Sequence, residues 1–215
     1  MEKQTKKDFY EFCEIIRKLR EPDGCPWDRE QTHESLRKHL IEEAYEACDA
    51  IDEGNPEKIA DELGDVLLQI VMHAQIGKEA GTFDINDVTD LVSRKMIERH
   101  PHVFGDVTVK NSREVLDNWE EIKKKSRGQK TASEAMENVS KSLPALYRAG
   151  KIVEKAQQGG FIEKEASVKI TPEEAGEKLF EITVLATQCG IDAEEALSSF
   201  TKKFIKKIKN IEENT

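Results

Sequence analysis

The chain has 215 residues, 35% of them charged and 6% aromatic, with few Pro and Gly and a formal net charge of −10. That length allows one large domain or two small ones, and the composition favours helices with solvated outer faces over a sandwich or barrel. The negative balance argues against a general nucleic-acid or membrane binder, because duplexes and anionic lipids attract basic surfaces, though a local basic pocket is compatible with it.

An all-α protein is therefore expected. The opening "MEKQTKKDFYEF" is too polar for a signal peptide, and no apolar run approaches the ~20 residues of a membrane span, so the expected location is cytoplasmic. Cys13, Cys25, Cys48 and Cys189 form no C-x-x-C pair or Cys/His cluster and read as reduced thiols.

In chain order, residues 8–20 read as a first helix, followed by the Pro- and Gly-marked loop "EPDGCPWDREQT". A helix starting near Thr32 runs to about Ile51, and "DEGNPEK" turns the chain into another from about Glu57 to Lys78, so the two should lie antiparallel. Asp84, with Asp87 three residues on, starts a fourth helix that ends before Pro101. "SREVLDNWEEIKKKS" reads as helical, and the polar "RGQKTASEAMENVS", 127–140, as a linker. The expected organisation is a helical domain over 1–126, the linker, and a second helical domain over 141–215.

Two stretches repeat. "DELGDVLLQIVMHAQ" has an echo in "EEAGEKLFEITVLATQ", and "FDINDVTDLVSRKMIERH" in "GIDAEEALSSFTKKFIKKI". Glu62 and Asp65 align with Glu174 and Glu177, and Lys95 and Arg99 with Lys203 and Lys207. Nothing in the second half replaces Glu42, Glu43 and Glu46.

Advancing roughly 100° per residue, Leu36, Leu40, Ala44, Ala47, Cys48 and Ile51 form the apolar stripe of the second helix, with Glu43 at its margin and Glu46 and Glu42 beyond. The third helix is apolar on two sides and should be buried, with Glu62, Asp65 and Gln69 in a narrow polar strip between. Any one of these acids is explained by a solvated surface. Five together must protonate, find cations or bind metal, and oxygen-only ligands suit Mg²⁺ or Mn²⁺ together with a ligand carrying several phosphates. On the fourth helix Lys95 and Arg99 extend an inward apolar stripe of Val88, Leu91 and Val92 and suit phosphate oxygens, or else snorkel at the helix end. Trp27 and Trp119 either pack in the core or stack on a nucleobase. P-loop, dinucleotide-binding and zinc-hydrolase motifs are missing from the sequence.

Taken together, "GCPWDREQTHESL", "EEAYE" followed by "DELGD", "KMIERHPHVFGD", "NWEEIKKK" and "SLPALYRAGKI" resemble the MazG family of nucleoside triphosphate pyrophosphohydrolases over most of residues 8–160. The family's acidic pattern falls on Glu42, Glu43, Glu46, Glu62 and Asp65. The resemblance implies an all-α bundle, a homodimer, and Mg²⁺-dependent cleavage of a nucleoside triphosphate to the monophosphate and pyrophosphate. It places metal on Glu43, Glu46, Glu62 and Asp65, the general base at Glu42 or Glu43, phosphate on Lys95 and Arg99, and the nucleotide near Trp119 and Lys123. The second half departs from the family pattern, since "FIEKEASVKITPEEAG" lacks the acid-rich helix and Glu177 stands where the pattern has Asp, so it is expected to be a catalytically silent, degenerate copy. Two alternatives stay open: a dCTP or phosphoribosyl-ATP type of pyrophosphohydrolase, and a non-catalytic helical module whose acids bind metal for stability.

Overall fold

The computed structural model describes residues 6–126, 128–163 and 169–214. Among them every regular element is a helix: α1 (Phe9–Leu19), α2 (Pro26–Glu30), α3 (His33–Glu53), α4 (Pro56–Glu79), α5 (Ile85–Arg99), α6 (Pro101–Phe104), α7 (Ser112–Ser126), α8 (Ala132–Glu137), α9 (Ala145–Gln158), α10 (Pro172–Gln188) and α11 (Ala193–Glu213). The fold is all-α, as the composition predicts. None of these helices is long and apolar enough to cross a membrane. All four cysteines are free.

Local chemistry sets the helix limits. The Thr32 side chain accepts from Ser35 N at 3.2 Å while Thr32 N donates to Ser35 Oγ at 3.0 Å, closing a capping box at the start of α3. Gly54 at φ 68° ends α3 in the left-handed conformation that favours glycine, and Asn55 caps α4 with Pro56 at its first position. Asp84 and Asp87 bond reciprocally at 3.1 and 2.8 Å before α5. The expected loop at 21–32 contains α2, the stretch after Arg99 contains α6, and the expected linker contains α8. Each short helix begins on a Pro or a capping box, a local signal that polar composition obscures. Arg127 of that linker, and residues 164–168 of the expected acid-poor stretch, lie outside the described residues.

The chain divides into two compact units between Glu98 and Arg99. In the first, α3 and α4 form a hairpin with α1 packed on α4. Ile16, Leu36, Val71 and Met72 make its core, and Phe9, Phe12, Leu68 and Ile76 pack against them. A Cβ on Gly77 would lie 2.8 Å from Phe83, so glycine there allows Phe83 to lie against α4. His33 stacks between Phe83 and His73, with 2.8 Å between the two imidazole Nδ1 atoms, tying the start of α3 to α4. Arg20, 6% exposed in its side chain, pairs with Glu79 on α4 at 2.7 Å and donates to the Asp28 and Gln31 carbonyls, fixing α1 and α2 to the hairpin.

The expectation that α4 is buried on both apolar sides is corrected. α1 covers one side; on the other, Leu63, Leu67 and Ile70 are exposed, as are Ile41, Cys48 and Ile51 of α3. Periodicity reports which sides are apolar, not what covers them. By the helical wheel these two exposed sets lie on the same side of the antiparallel hairpin.

In the second unit, α8, α9 and α11 enclose Met136, Ile152, Ala156, Ile205 and Ile208. Two acids of α11 cap the starts of its neighbours. Glu212 accepts from Ala132 N at 2.7 Å and Ser133 N at 3.2 Å, and Glu194 accepts from Ala145 N. α7 is tied to α9 through Glu120 and Lys155, 2.5 Å apart. α10 packs on α11 and buries none of its residues; Phe180, Ile182 and Leu185 are exposed.

Candidate metal and phosphate site

The buried stripe of α3 runs through Leu36, Ala47 and Ala50, and Glu43 falls on the same line at helical spacing. On α4 the corresponding line carries Glu62, Asp65, Gln69 and Met72, the last two buried. Glu43 is thus aimed at α4, not placed at a margin. Carboxylate oxygens of Glu43, Glu62 and Asp65, all half-buried, lie within 4.8 Å of one another.

Burial and mutual repulsion outweigh the cations near this arrangement. Burial pushes the Glu43 carboxyl above its ordinary range, and the charges of Asp65, Glu46 and Glu62 push it further, against a small opposing effect of His39. Burial, then Glu46, Asp61 and Asp65, raise Glu62 in the same way, against a smaller opposing effect of Lys58. Gln69, 6% exposed, sits one turn beyond Asp65, and its Oε1 has no partner among the described residues. The clustered carboxylates form an all-oxygen donor set, with an orphaned amide oxygen one turn further along α4, so the residues present fit a hard divalent cation.

The remaining expected residues fall as follows. Glu46 is exposed and outside the close trio, though near enough to raise both Glu43 and Glu62. Glu42 is exposed and lies 3.0 Å from His39 Nδ1. Trp27 is 56% exposed, so it is not a core residue; its ring meets His39 edge-on at 6.4 Å. Lys95 is exposed, and Leu91 and Val92 of its expected inward stripe are exposed too, which corrects the reading of that face as covered. In the second unit the Arg99 guanidinium lies over the Trp119 ring at 5.5 Å, with the His100 ring 5.0 Å from Trp119. Lys123 pairs with Glu120 at 3.1 Å, an acid it shares with Lys155.

Sequence reasoning missed His39 as the partner of Glu42. Its signal was the spacing of three and four residues before Glu42 and Glu43, which puts all three on neighbouring positions of one helix. Gln69 was placed in the polar strip, but its burial depends on how α3 and α4 face each other.

The profile of the "MazG nucleotide pyrophosphohydrolase domain" matches residues 31–104, which include the whole α3–α4 hairpin. The chain is 43% identical over 223 residues to the "Nucleoside triphosphate pyrophosphohydrolase/pyrophosphatase MazG" of Thermotoga maritima, covering 95% of this chain and 86% of that protein. It is 38% identical over 222 residues to the "Nucleoside triphosphate pyrophosphohydrolase" of Escherichia coli strain K12, covering 92% and 84%. A Bacillus subtilis relative, the uncharacterized protein YabN, is 50% identical over 151 residues, or 70% of this chain and 31% of its own.

Proposed function

The chain belongs to the MazG family of nucleotide pyrophosphohydrolases, and from that membership we propose that it hydrolyses nucleoside triphosphates to nucleoside monophosphate and pyrophosphate by attack of water at the α-phosphorus. The observation that carries this reading to particular residues is the trio Glu43, Glu62 and Asp65, with oxygens within 4.8 Å and two of its carboxyls raised. Bound Mg²⁺, or Mn²⁺ in its place, would neutralise the triphosphate and activate the attacking water.

In this proposal the trio, joined by Glu46, would hold the metal. Glu42 stands outside the trio, is oriented by His39, and takes the proton of the attacking water. Lys95 and Arg99 bind the phosphates that leave as pyrophosphate. Trp27, exposed beside His39, offers a ring face to the base. Positioning and charge are the main contributions of the protein, as in phosphoryl transfer generally. The second unit retains the helix pair α10–α11 as a degenerate, silent copy of α4–α5.

The proposal includes a homodimer. Support comes from the uncovered side of the hairpin, where Leu63, Leu67 and Ile70 lie in line, an apolar face that a second copy would cover. Leu67→Glu should leave a monomer in sedimentation at micromolar concentration; an intact chain that is already monomeric there removes the dimer.

The chemistry is tested by product identity. With Mg²⁺ and a panel of common ribo- and deoxyribonucleoside triphosphates, monophosphate and pyrophosphate should appear in equal amounts, without diphosphate and orthophosphate. Glu42→Gln should lose turnover yet keep the rise in melting temperature on adding metal, whereas Glu43→Gln should lose both. Metal-dependent stabilisation of the intact chain without turnover of any triphosphate overturns the proposal.

A further inference from the structure

Outside the acid trio, the second unit contains a cleft of about 670 Å³ between α9, α11 and the segment joining α8 to α9. Its cationic lining is Lys141, Arg148, Lys202, Lys206 and Lys209, against two acids, Glu137 and Glu213. Glu137 is engaged by Lys209 at 3.2 Å. Arg148 is 4% exposed, and its Nε and Nη1 have no hydrogen-bond partner among the described residues. Lys202, Lys206 and Lys209 follow at helical spacing along one face of α11.

A buried guanidinium with unpartnered nitrogens is costly, because desolvating a charge without an anion or hydrogen bonds loses far more than packing returns. Arg20 shows what the fold does with a buried arginine needed for structure: it is paired to Glu79 and to two carbonyls. Arg148 lacks such partners where it lines the cleft, and the lysines around that cleft add to its charge. Arginine backed by lysines is the recognition chemistry of phosphate groups. The cleft volume falls in the range of about 300–1,000 Å³ typical of small-molecule sites. A chain with a net charge of −10 repels long polyanions overall, while a small polyanion responds to the local field.

We propose that the cleft around Arg148 is an anion site that binds the di- or triphosphate group of a small molecule without metal. It is built wholly from residues of the second unit, lacks the carboxylate trio, and so binds phosphates without hydrolysing them. The phosphate chain would place its inner end against Arg148 and its outer oxygens on Lys141 and Lys202.

The experiment is calorimetric titration of the full-length chain in EDTA, so that metal-assisted binding elsewhere is suppressed, with inorganic triphosphate and separately with a nucleoside triphosphate. One saturable site per chain is expected for inorganic triphosphate. Lys141→Gln/Lys202→Gln, two surface changes, should weaken it about tenfold or more, and Arg148→Gln should abolish it. Lys95→Gln/Arg99→Gln should leave it intact. Equal affinity for the two ligands means that the phosphate chain alone is read; tighter binding of the nucleotide means that the nucleoside is read as well, and both support the site. Should Arg148→Gln fail to fold, judged by its melting curve, the double lysine variant carries the test. Absence of saturable binding overturns the site, as does binding that the double lysine variant leaves unchanged or that Lys95→Gln/Arg99→Gln removes. A short RNA that binds more tightly than either ligand, and loses binding on Lys141→Gln/Lys202→Gln, overturns the small-anion assignment.

Discussion

Glu62 on α4 and Glu174 on α10 occupy the same place in the internal repeat, and the two helices give them opposite fates. α4 starts at Pro56, so Glu62 lies beyond the first turn and joins Glu43 of α3. α10 starts at Pro172, so Glu174 is the third residue of the helix, where its carboxylate accepts from Thr171 N at 2.8 Å and closes a capping box. Burial and neighbouring acids raise the Glu62 carboxyl, whereas the Thr171 backbone bond lowers that of Glu174. Both pairs continue through a left-handed glycine, Gly81 or Gly190, to an Asp that starts the next helix. The connection is the same in both, while Glu62 joins an acid cluster and Glu174 is taken up by a cap. What decides is where the helix begins and whether a second acid-bearing helix packs against it.

The strongest way to break this comparison is to neutralise one acid of the trio. Asp65→Asn should cut pyrophosphate release by about 100-fold or more and abolish metal-induced stabilisation, since a lost ligand and its charge act on the same step. If repulsion among the trio is as described, Glu62→Gln without metal should melt higher than the intact chain, a gain in stability at the expense of function; a lower melting temperature would argue that these acids are already compensated.

Next in size, Arg20→Ala should cost the first unit about 2–3 kcal/mol, by leaving Glu79 and two carbonyls without their cation. Denaturant unfolding measures it, and a loss below about 0.5 kcal/mol would show the tie to be no more than a surface pair.

The second unit has a pH-sensitive tie instead. Burial raises the Glu120 carboxyl, but Lys155 and Lys123 outweigh it and hold it at about 2, well below its ordinary 4.5. An acid with a depressed folded value contributes stability above its unfolded value and loses it as pH falls toward the folded one. The interaction, discounted for partial exposure to about 1 kcal/mol, should therefore be complete above about pH 5 and disappear between there and about pH 2, and Glu120→Gln should flatten that part of the stability profile. The smallest effect belongs to Glu174→Ala, which should slightly lower the melting temperature through the lost cap and leave turnover unchanged.

Local signals made most of the fold legible in the sequence. Thr32, Asp84 and the Gly54–Asn55–Pro56 turn mark their helix ends because each cap is made within a few residues of its own sequence. α8 was hidden because it is one short helix in a polar stretch, although Met136 is fully buried. The acids of the site were legible as a group from their spacing. Their division into the close trio, the paired Glu42 and the outlying Glu46 depends on how α3 faces α4, which spacing along one helix does not contain. The same limit applies to Trp27: its aromatic character is evident, but its exposed position against His39 follows from the placement of α2. Arg148 is the clearest case, since in "LPALYRAGKI" it reads as one more cation on an amphipathic helix, and only burial without partners distinguishes it.

The most direct test of the central claim compares pyrophosphate release from nucleoside triphosphates, with Mg²⁺, by the intact chain, Glu62→Gln and Glu174→Gln. Glu62→Gln should fall by about 100-fold or more while Glu174→Gln stays within about twofold of the intact chain. Turnover that survives Glu62→Gln and is lost in Glu174→Gln would contradict the account and place the chemistry in the second unit.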